Sequence, residues 1–337
     1  MKCLLVILAA GLVCLTLVLP ASGAGDPSVP APATDASWAP ARDVVFEGYH
    51  GIYRVSPNGG RPTRVTPRTS LAVGVSPNGK ALAFGTDAGA LYRISLAGGR
   101  LKRLGRGIVP VWSPDGKRIA YLKVEDNGIW VMKANGTGRY KVVDDPYLES
   151  EPTVAWAPDG SKLAFVRCSR PHQADSSEHA YVYTIRLDGT HLHRVTTESG
   201  VPGCPAWSSK GLLAFNGRGT EIVQKNGKLK SYPEAAGCPV WAPSGRRLAV
   251  GTGNGIFLMN SDGSGRRRIT IVPHAATVIG VPAWSPDGRW LTIIDGGCVL
   301  RGDRPQQVWI VRANGTGLKR LFPNGFRPVK SGACRLR

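Results

Sequence analysis

The stretch Trp112-Ser113-Pro114-Asp115-Gly116-Lys117-Arg118-Ile119-Ala120-Tyr121 decides the fold, because the 337-residue chain restates it along its length. Related phrases begin at Trp38, Val75, Trp156, Trp207, Trp241 and Trp284, so that seven anchors follow one another at steps of 37, 37, 44, 51, 34 and 43 residues. Self-similarity at such a period marks an array of one supersecondary unit.

Each unit reads as four short strands. The first is brief and apolar and ends at the Trp, as in Pro110-Val111-Trp112 and Pro282-Ala283-Trp284. The Ser-Pro-Asp-Gly that follows is a turn, with Pro presetting φ and Gly taking a backbone angle that a side chain resists. A second strand (Arg118-Ile119-Ala120-Tyr121) leads to a third that alternates apolar and variable residues, as in Ile129-Trp130-Val131-Met132 and Val308-Trp309-Ile310-Val311. This period of two, rich in β-branched and aromatic residues, is a strand signal. Asn135-Gly136, Asp188-Gly189, Asp262-Gly263 and Asn314-Gly315 mark tight hairpins into a basic fourth strand. Seven such units predict an all-β chain, a seven-bladed β-propeller of four-stranded antiparallel blades. The weak inner strand of the first unit leaves six blades plus an irregular end as the alternative. The repeated Trp is expected to wedge between blades as core.

These phrases resemble the WD-like repeat of the bacterial TolB propeller family, whose units read Trp-Ser-Pro-Asp-Gly, a strand, Ile-Trp-Val-Met, then Asp/Asn-Gly. The resemblance covers the propeller part alone, from about residue 36 to about residue 322, without the α/β domain that precedes the propeller in TolB. TolB is a periplasmic partner of a peptidoglycan-associated lipoprotein, so the resemblance implies protein binding in the cell envelope. The fold by itself carries no activity.

Lys2, the apolar run Leu4 to Leu19, Pro20 and the small residues Ala21-Ser22-Gly23-Ala24 have the order of a secretory signal. The expected organisation is therefore a signal peptide over 1–23, a Pro/Ala-rich linker over 24–35 and the propeller over 36–337. The apolar run is shorter than the roughly 20 residues of a spanning helix, so membrane attachment is expected only if the signal stays uncleaved. The reading is an exported bacterial protein, periplasmic or extracellular at the cell envelope.

Export makes disulfides plausible. Cys168, Cys204, Cys238, Cys298 and Cys334 follow the signal. The fourth and seventh units carry enlarged loops between their second and third strands, each opening with a cysteine and each followed 36 residues later by another. That symmetry gives Cys168–Cys204 and Cys298–Cys334, with Cys238 free. The rival pairing is Cys204–Cys238, since both precede Pro and an inner strand in successive units.

The charge is +20, from 43 Lys and Arg against 23 Asp and Glu. Much of it lies on fourth strands, at Arg64, Lys102, Arg103, Lys230, Arg267 and Lys319 among others. One reading is attraction to an anionic cell-envelope polymer. The other is protection of exposed blade edges against pairing between molecules. Export and the lack of a recognised binding motif argue against nucleic acid.

The enlarged loops hold His172, Asp175, Glu178 and His179 in the fourth unit, and Arg301 and Asp303 in the seventh. In a seven-membered ring these units lie nearly opposite each other, so their loops are expected to rise from opposite rims of one channel mouth. Asp144 and Glu149, in the link between the third and fourth units, add acidity on that side. Loops on a rigid scaffold are where binding concentrates. These eight residues are the candidate rim for a captured protein or peptide segment. No catalytic residue, cofactor site or metal site is expected. His50, His172, His179 and His274 could share a side, but no two have a familiar ligand spacing. No Gly-x-Ser-x-Gly elbow occurs. The expectation is a non-catalytic TolB-like propeller, with a carbohydrate-active, polysaccharide lyase-like enzyme holding metal at the channel mouth as the alternative.

Overall fold

The computed structural model describes residues 43–48, 51–68, 70, 72–145, 154–168, 180–196, 203–252, 255–270, 281–295 and 307–321. They form seven antiparallel sheets, each taken from one continuous stretch of chain in the order of its strands. Blade 2 consists of Ala72–Val75, Ala81–Gly85, Ala90–Ser95 and Lys102–Arg106. Blade 3 consists of Ile108–Trp112, Arg118–Lys123, Gly128–Lys133 and Tyr140–Asp144. Blade 4 is Ala155–Trp156, Lys162–Cys168, Ala180–Arg186 and His193–Arg194. Blade 5 is Gly203–Trp207, Leu213–Asn216, Thr220–Val223 and Leu229–Tyr232. Blade 6 is Pro239–Trp241, Arg247–Thr252, Gly255–Asn260 and Arg267–Thr270, and blade 7 is Ala283–Trp284, Trp290–Asp295, Gln307–Arg312 and Lys319–Arg320.

Blade 1 contributes Val44–Gly48, Gly51–Val55 and Thr63–Thr66. Phe46 faces Tyr53 there as Phe84 faces Tyr92 in blade 2, which identifies these as its second, third and fourth strands. Its inner strand, expected at Trp38, falls outside the described residues. First strands of successive blades touch one another from blade 2 to blade 7, forming the inner wall about the axis. The ring closes where Val44, Phe46 and Val55 of blade 1 pack with Trp290, Val308 and Ile310 of blade 7. Seven blades, not six, make the ring. Helical structure among the described residues is limited to one 3-10 turn, Val124–Asp126.

The Ser-Pro-Asp-Gly turn closes as its residue types dictate. In blade 3 Gly116 N donates to Ser113 O (2.8 Å), Lys117 N to Asp115 Oδ1 (3.0 Å) and Arg118 N to Ser113 Oγ (2.9 Å). Gly116 has φ 68°, a left-handed angle that glycine takes without steric cost.

Packing runs between blades rather than within them. Trp112, Trp156, Trp241 and Trp284 are buried, and each indole N–H donates at 3.0 Å to a carbonyl of the preceding blade: Gly74, Val111, Ala206 and Val240 in turn. Each acceptor is the residue just before that blade's own anchor. The indole is therefore a wedge and a hydrogen-bonded rivet together, as a buried Trp N–H needs a partner. A cation from the preceding blade covers the ring: Arg118 lies 5.2 Å from Trp156 and Arg247 5.5 Å from Trp284. These are the second basic residues after the turn Gly. Their guanidinium groups also donate to Gly160 O and Gly288 O, the turn glycines of the following blades.

The fourth strands are exposed, as edges should be, yet several of their cations are not idle. Lys230, Arg267 and Lys319 occupy equivalent positions opposite Ile222, Leu258 and Ile310. They donate to Asp262 O, Ala313 O and Asn58 O, in each case a carbonyl in the hairpin of the next blade. Part of the basic charge thus joins blades 5 to 6, 6 to 7 and 7 to 1.

Candidate functional site

The two faces of the ring are built differently. On one face lie the tight turns between first and second strands and the Asx-Gly hairpins between third and fourth. Side chains close these hairpins: Asn135 Oδ1 accepts from Thr137, Asp188 Oδ1 from Thr190, Asp262 Oδ1 from Ser264 and Asn314 Oδ1 from Thr316. Such self-satisfied turns offer few groups to a ligand. The opposite face carries the connections between second and third strands and the links from blade to blade.

Strand pairing locates the long loops on that second face. In blade 4 the ladder runs out to Cys168 opposite Ala180, and in blade 7 to Asp295 opposite Gln307. The connections at 169–179 and 296–306 leave from there, whereas blades 2, 3 and 5 bridge the same gap with 86–89, 124–127 and 217–219. Antiparallel pairing brings the starts of the first strands to the same face. The described residues thus fix where the enlarged loops emerge. His172, Asp175, Glu178, His179, Arg301, Asp303 and Glu149 lie outside the described residues, as do His50 and His274.

The inner rim of that face carries a disulfide, and it corrects the expected pairing. Cys204 is bonded to Cys238, 34 positions further along the chain, with Cα atoms 5.3 Å apart. That separation is in the normal range for a disulfide. Cys168–Cys204 is therefore not formed, and Cys238 is not free. Cys298–Cys334 lies outside the described residues. The physical reason is the repeat itself: Cys204 and Cys238 each stand three residues before an anchor Trp, so neighbouring inner strands present them side by side. Cys168 instead ends the second strand of blade 4, and equal spacing along the chain is no measure of distance across a ring.

The same position is strained in blade 3. Val109 has φ 49° and Cys204 φ 52°, each beside a one-residue slip in the pairing of its strand. A left-handed β-branched residue is rare. These bulges set the inner rim of the loop face at blades 3 and 5.

The described acidic groups near the link between blades 3 and 4 are engaged. Asp144 is exposed at the end of its strand, with Oδ1 3.1 Å from Lys141 Nζ. Asp145, the next residue, is buried and holds Arg167 of blade 4 at 2.6 Å. It ties two blades together. In the 3-10 turn on this face, Asp126 accepts from Lys123 Nζ (3.0 Å) and Trp130 Nε1 (3.1 Å). Partial burial alone would raise its pKa, but these hydrogen bonds and the charges of Lys123 and Lys141 outweigh that and hold it below the usual carboxylate value. The two ammonium groups lie 4.8 and 5.7 Å from the Trp130 ring. Sequence reading missed this cluster, although Lys123, Asp126 and Trp130 at three- and four-residue spacing across a short connection were its visible signal. Among the described residues no three His, Cys, Asp or Glu side chains gather as a metal site.

No family model matches the chain. A curated TolB homolog of Chlorobium luteolum is 30% identical over 138 residues, which is 37% of this chain and 31% of that protein. The chain spans between a tenth and a third of the length of the curated TolB relatives it matches, from 10% to 31%. The crystal structure of TolB from Acinetobacter baumannii superposes with a TM-score of 0.52 at 17% identity, covering 77% of this chain and 64% of that one. An oligogalacturonate lyase from Vibrio parahaemolyticus superposes with a TM-score of 0.61 at 14% identity, covering 84% and 85%. At such identities the structures speak to fold alone. Together with the repeat phrases and the seven blades, these likenesses identify the chain as a β-propeller of TolB-like repeats.

Proposed function

We propose that this protein is an exported, non-catalytic binding propeller of the bacterial cell envelope, holding a protein or peptide segment at the channel mouth on its loop face. The observation that carries the reading is the asymmetry of the ring. One face consists of closed turns, while the other gathers the blade links, the Cys204–Cys238 rim and both points from which the long loops leave. The TolB-like repeats favour a binding role, and an oxidised pair of cysteines suits an exported protein. His172, Asp175, Glu178 and His179 would contact the segment from one side and Arg301 and Asp303 from the other.

The test compares wild type with a variant carrying His172→Ala, Glu178→Ala and Arg301→Ala, in crosslinking capture from envelope extract. A partner retained by wild type should be lost from the variant while the melting temperature holds. Equal capture by both refutes the site. Metal analysis of the purified protein separates this reading from a lyase: stoichiometric, tightly held metal that disappears on changing His172 or His274 would favour the enzyme.

A further inference from the structure

An Asn-Gly pair is prone to attack itself, because glycine lets the amide nitrogen after the asparagine swing toward the asparagine side chain. Seven such pairs lie in the described residues, and six of them are guarded. Asn78 Oδ1 accepts from Ser76 Oγ and Lys80 N, Asn226 Oδ1 from Lys228 N, and Asn216 Oδ1 from Gly237 N. Asn135 and Asn314 are tied to Thr137 and Thr316. Asn127 makes no such bond, but Gly128 after it lies in a strand paired on both sides, to Lys123 and Asp144.

Asn58 is the exception. Its side chain is exposed and makes no hydrogen bond among the described residues. Ser56 Oγ accepts from its main-chain N–H instead, at 3.2 Å. Two glycines follow, Gly59 at φ 89° and Gly60 at φ 119°, where the equivalent hairpins have one glycine and then Thr137, Lys228 or Thr316. A methyl group on Gly60 would meet nothing within 4 Å, so the main chain beyond Asn58 has room to turn.

A second feature is particular to this pair. Lys319 of blade 7 donates from Nζ to Asn58 O, the carbonyl oxygen of the Asn58–Gly59 peptide itself. A methyl group on Gly59 would lie 3.7 Å from that nitrogen, so the ammonium stands over the peptide. The equivalent cations act elsewhere. Lys230 reaches the carbonyl of Asp262, whose side chain has no amide to expel, and Arg267 reaches Ala313 O, one peptide before Asn314–Gly315.

We propose that Asn58–Gly59 is a site of spontaneous modification, at which Lys319 promotes loss of the Asn58 side-chain amide. Gly59 N gives up its proton and attacks Asn58 Cγ. The bond from Gly59 N to Cγ forms, the Cγ–Nδ2 bond breaks, and Nδ2 leaves as ammonia with one added proton. Water then opens the five-membered imide at either carbonyl, giving aspartate at position 58 or its isoaspartyl isomer. The negative charge of the deprotonated peptide resides largely on Asn58 O, where Lys319 meets it. An opposite charge at hydrogen-bond distance favours that ionised form. The isoaspartyl product lengthens the main chain by one carbon inside the hairpin that Lys319 clasps, at the seam where blade 7 meets blade 1. The closure of the ring is thus the part of the molecule that ages first. None of this depends on peptide capture at the channel mouth.

The experiment incubates the purified full chain at mildly alkaline pH. Peptide mapping by mass spectrometry, separating asparagine, aspartate and isoaspartate, follows each Asn-Gly pair. Asn58 should convert at least about threefold faster than Asn135, Asn226 or Asn314. Lys319→Met should slow Asn58 about three- to fivefold, the size of an exposed interaction between charges, and leave the other three unchanged. Lys319→Arg, which keeps the charge, should stay within about twofold of wild type. Equal rates at Asn58 and Asn135 would overturn the site. An unchanged rate at Asn58 in Lys319→Met would overturn the role of Lys319, and so would a faster one, by showing that the clasp restrains the hairpin. Should Lys319→Met fail to fold, wild type in urea gives the comparison. The ratio of Asn58 to Asn135 conversion should be higher in the folded chain than in the unfolded one, and a ratio no higher overturns the proposal.

Discussion

Replacing Cys204 and Cys238 together by serine removes a bond that spans two blades, and its cost can be worked from the chain. The cysteines are 34 residues apart, with Cα atoms 5.3 Å from each other. Closing a loop of about 35 residues removes roughly 13 cal/mol/K from the unfolded chain, or about 3.8 kcal/mol at 25 °C in the chain-entropy picture. Both positions are only half-buried, so serine hydroxyls can reach water and add little desolvation. A propeller of roughly 290 residues unfolds with an entropy near 0.6 kcal/mol/K, so the expected fall in melting temperature is about 6 °C. Other ties hold the same junction, among them the Trp241 indole on Ala206 O and Lys230 on Asp262 O, so the variant should fold and lose stability only. The assay is thermal unfolding followed by circular dichroism, with and without reductant. Reduced wild type should melt where the serine variant melts, and reductant should leave the variant unmoved. A shift below about 1 °C would refute the entropic argument. Non-reducing peptide mapping that joined Cys204 to Cys168 would refute the pairing.

Trp156→Phe should lower stability by about 1–2 kcal/mol more than Trp207→Phe in urea unfolding, because the first strands Val111 O while the second removes an indole N–H that has no acceptor among the described residues. Gly263→Ala should cost more than about 1 kcal/mol by the same measurement, since φ is +83° and the added methyl would come within 2.2 Å of the Tyr232 ring. Hydrogen bonds from Ser161, Thr190 and Ser264 hold Asp159, Asp188 and Asp262 below their ordinary pKa of 3.8. A carboxylate whose folded pKa is depressed stabilises above its unfolded value and loses that contribution as pH falls through the folded one. Denaturant midpoints should therefore be insensitive to these groups near neutrality and decline below pH 3.8, and Asp188→Asn with Asp262→Asn should flatten that decline.

The repeat was legible because every unit must solve the same local problem. Pro114 and Gly116 fix one turn, Asn135-Gly136 another, and the alternation around Trp130 defines the strand between them. What sequence reading could not supply is what passes from one blade to the next. Lys230, Arg267 and Lys319 looked like edge charges because their strands are the outermost. Their reach to a neighbouring hairpin depends on the angle between blades, which no local pattern encodes. The cysteines show the same boundary. Pairing by equal spacing chose Cys168 with Cys204, whereas equivalence of position within the repeat pointed to Cys204 with Cys238, and a ring places equivalent positions together. The candidate rim was legible only as loop length. Asp144 proved to be a paired strand-end residue and Asp145 a buried tie, because a carboxylate beside Lys141 or Arg167 is neutralised by contacts that sequence order does not display.

The junctions between blades are not equal, and the difference bears on the loop face. Indole rivets occur where Trp112, Trp156, Trp241 and Trp284 enter the preceding blade, and Lys230, Arg267 and Lys319 add clamps from blade 5 onward to blade 1. Between blades 4 and 5, as between blades 1 and 2, where Val75 replaces the anchor Trp, neither device is present among the described residues. Trp207 has no acceptor for its N–H, and the third strand carries Glu221 where the other blades carry Tyr, Trp or Phe. Packing there rests on small side chains, Ala164, Val166, Ala180 and Val182, against Leu213 and Phe215. In an array, stability is the sum of unit and junction contributions, so a poor junction is tolerated when its neighbours are strong. Both neighbours of this one are strong: Asp145 with Arg167 ties blade 4 to blade 3, and Cys204–Cys238 ties blade 5 to blade 6. The connection at 169–179 leaves blade 4 beside this junction. Most of the interblade ties described here end on backbone carbonyls, which every residue type supplies. The identity of the accepting residue is therefore left free by these bonds.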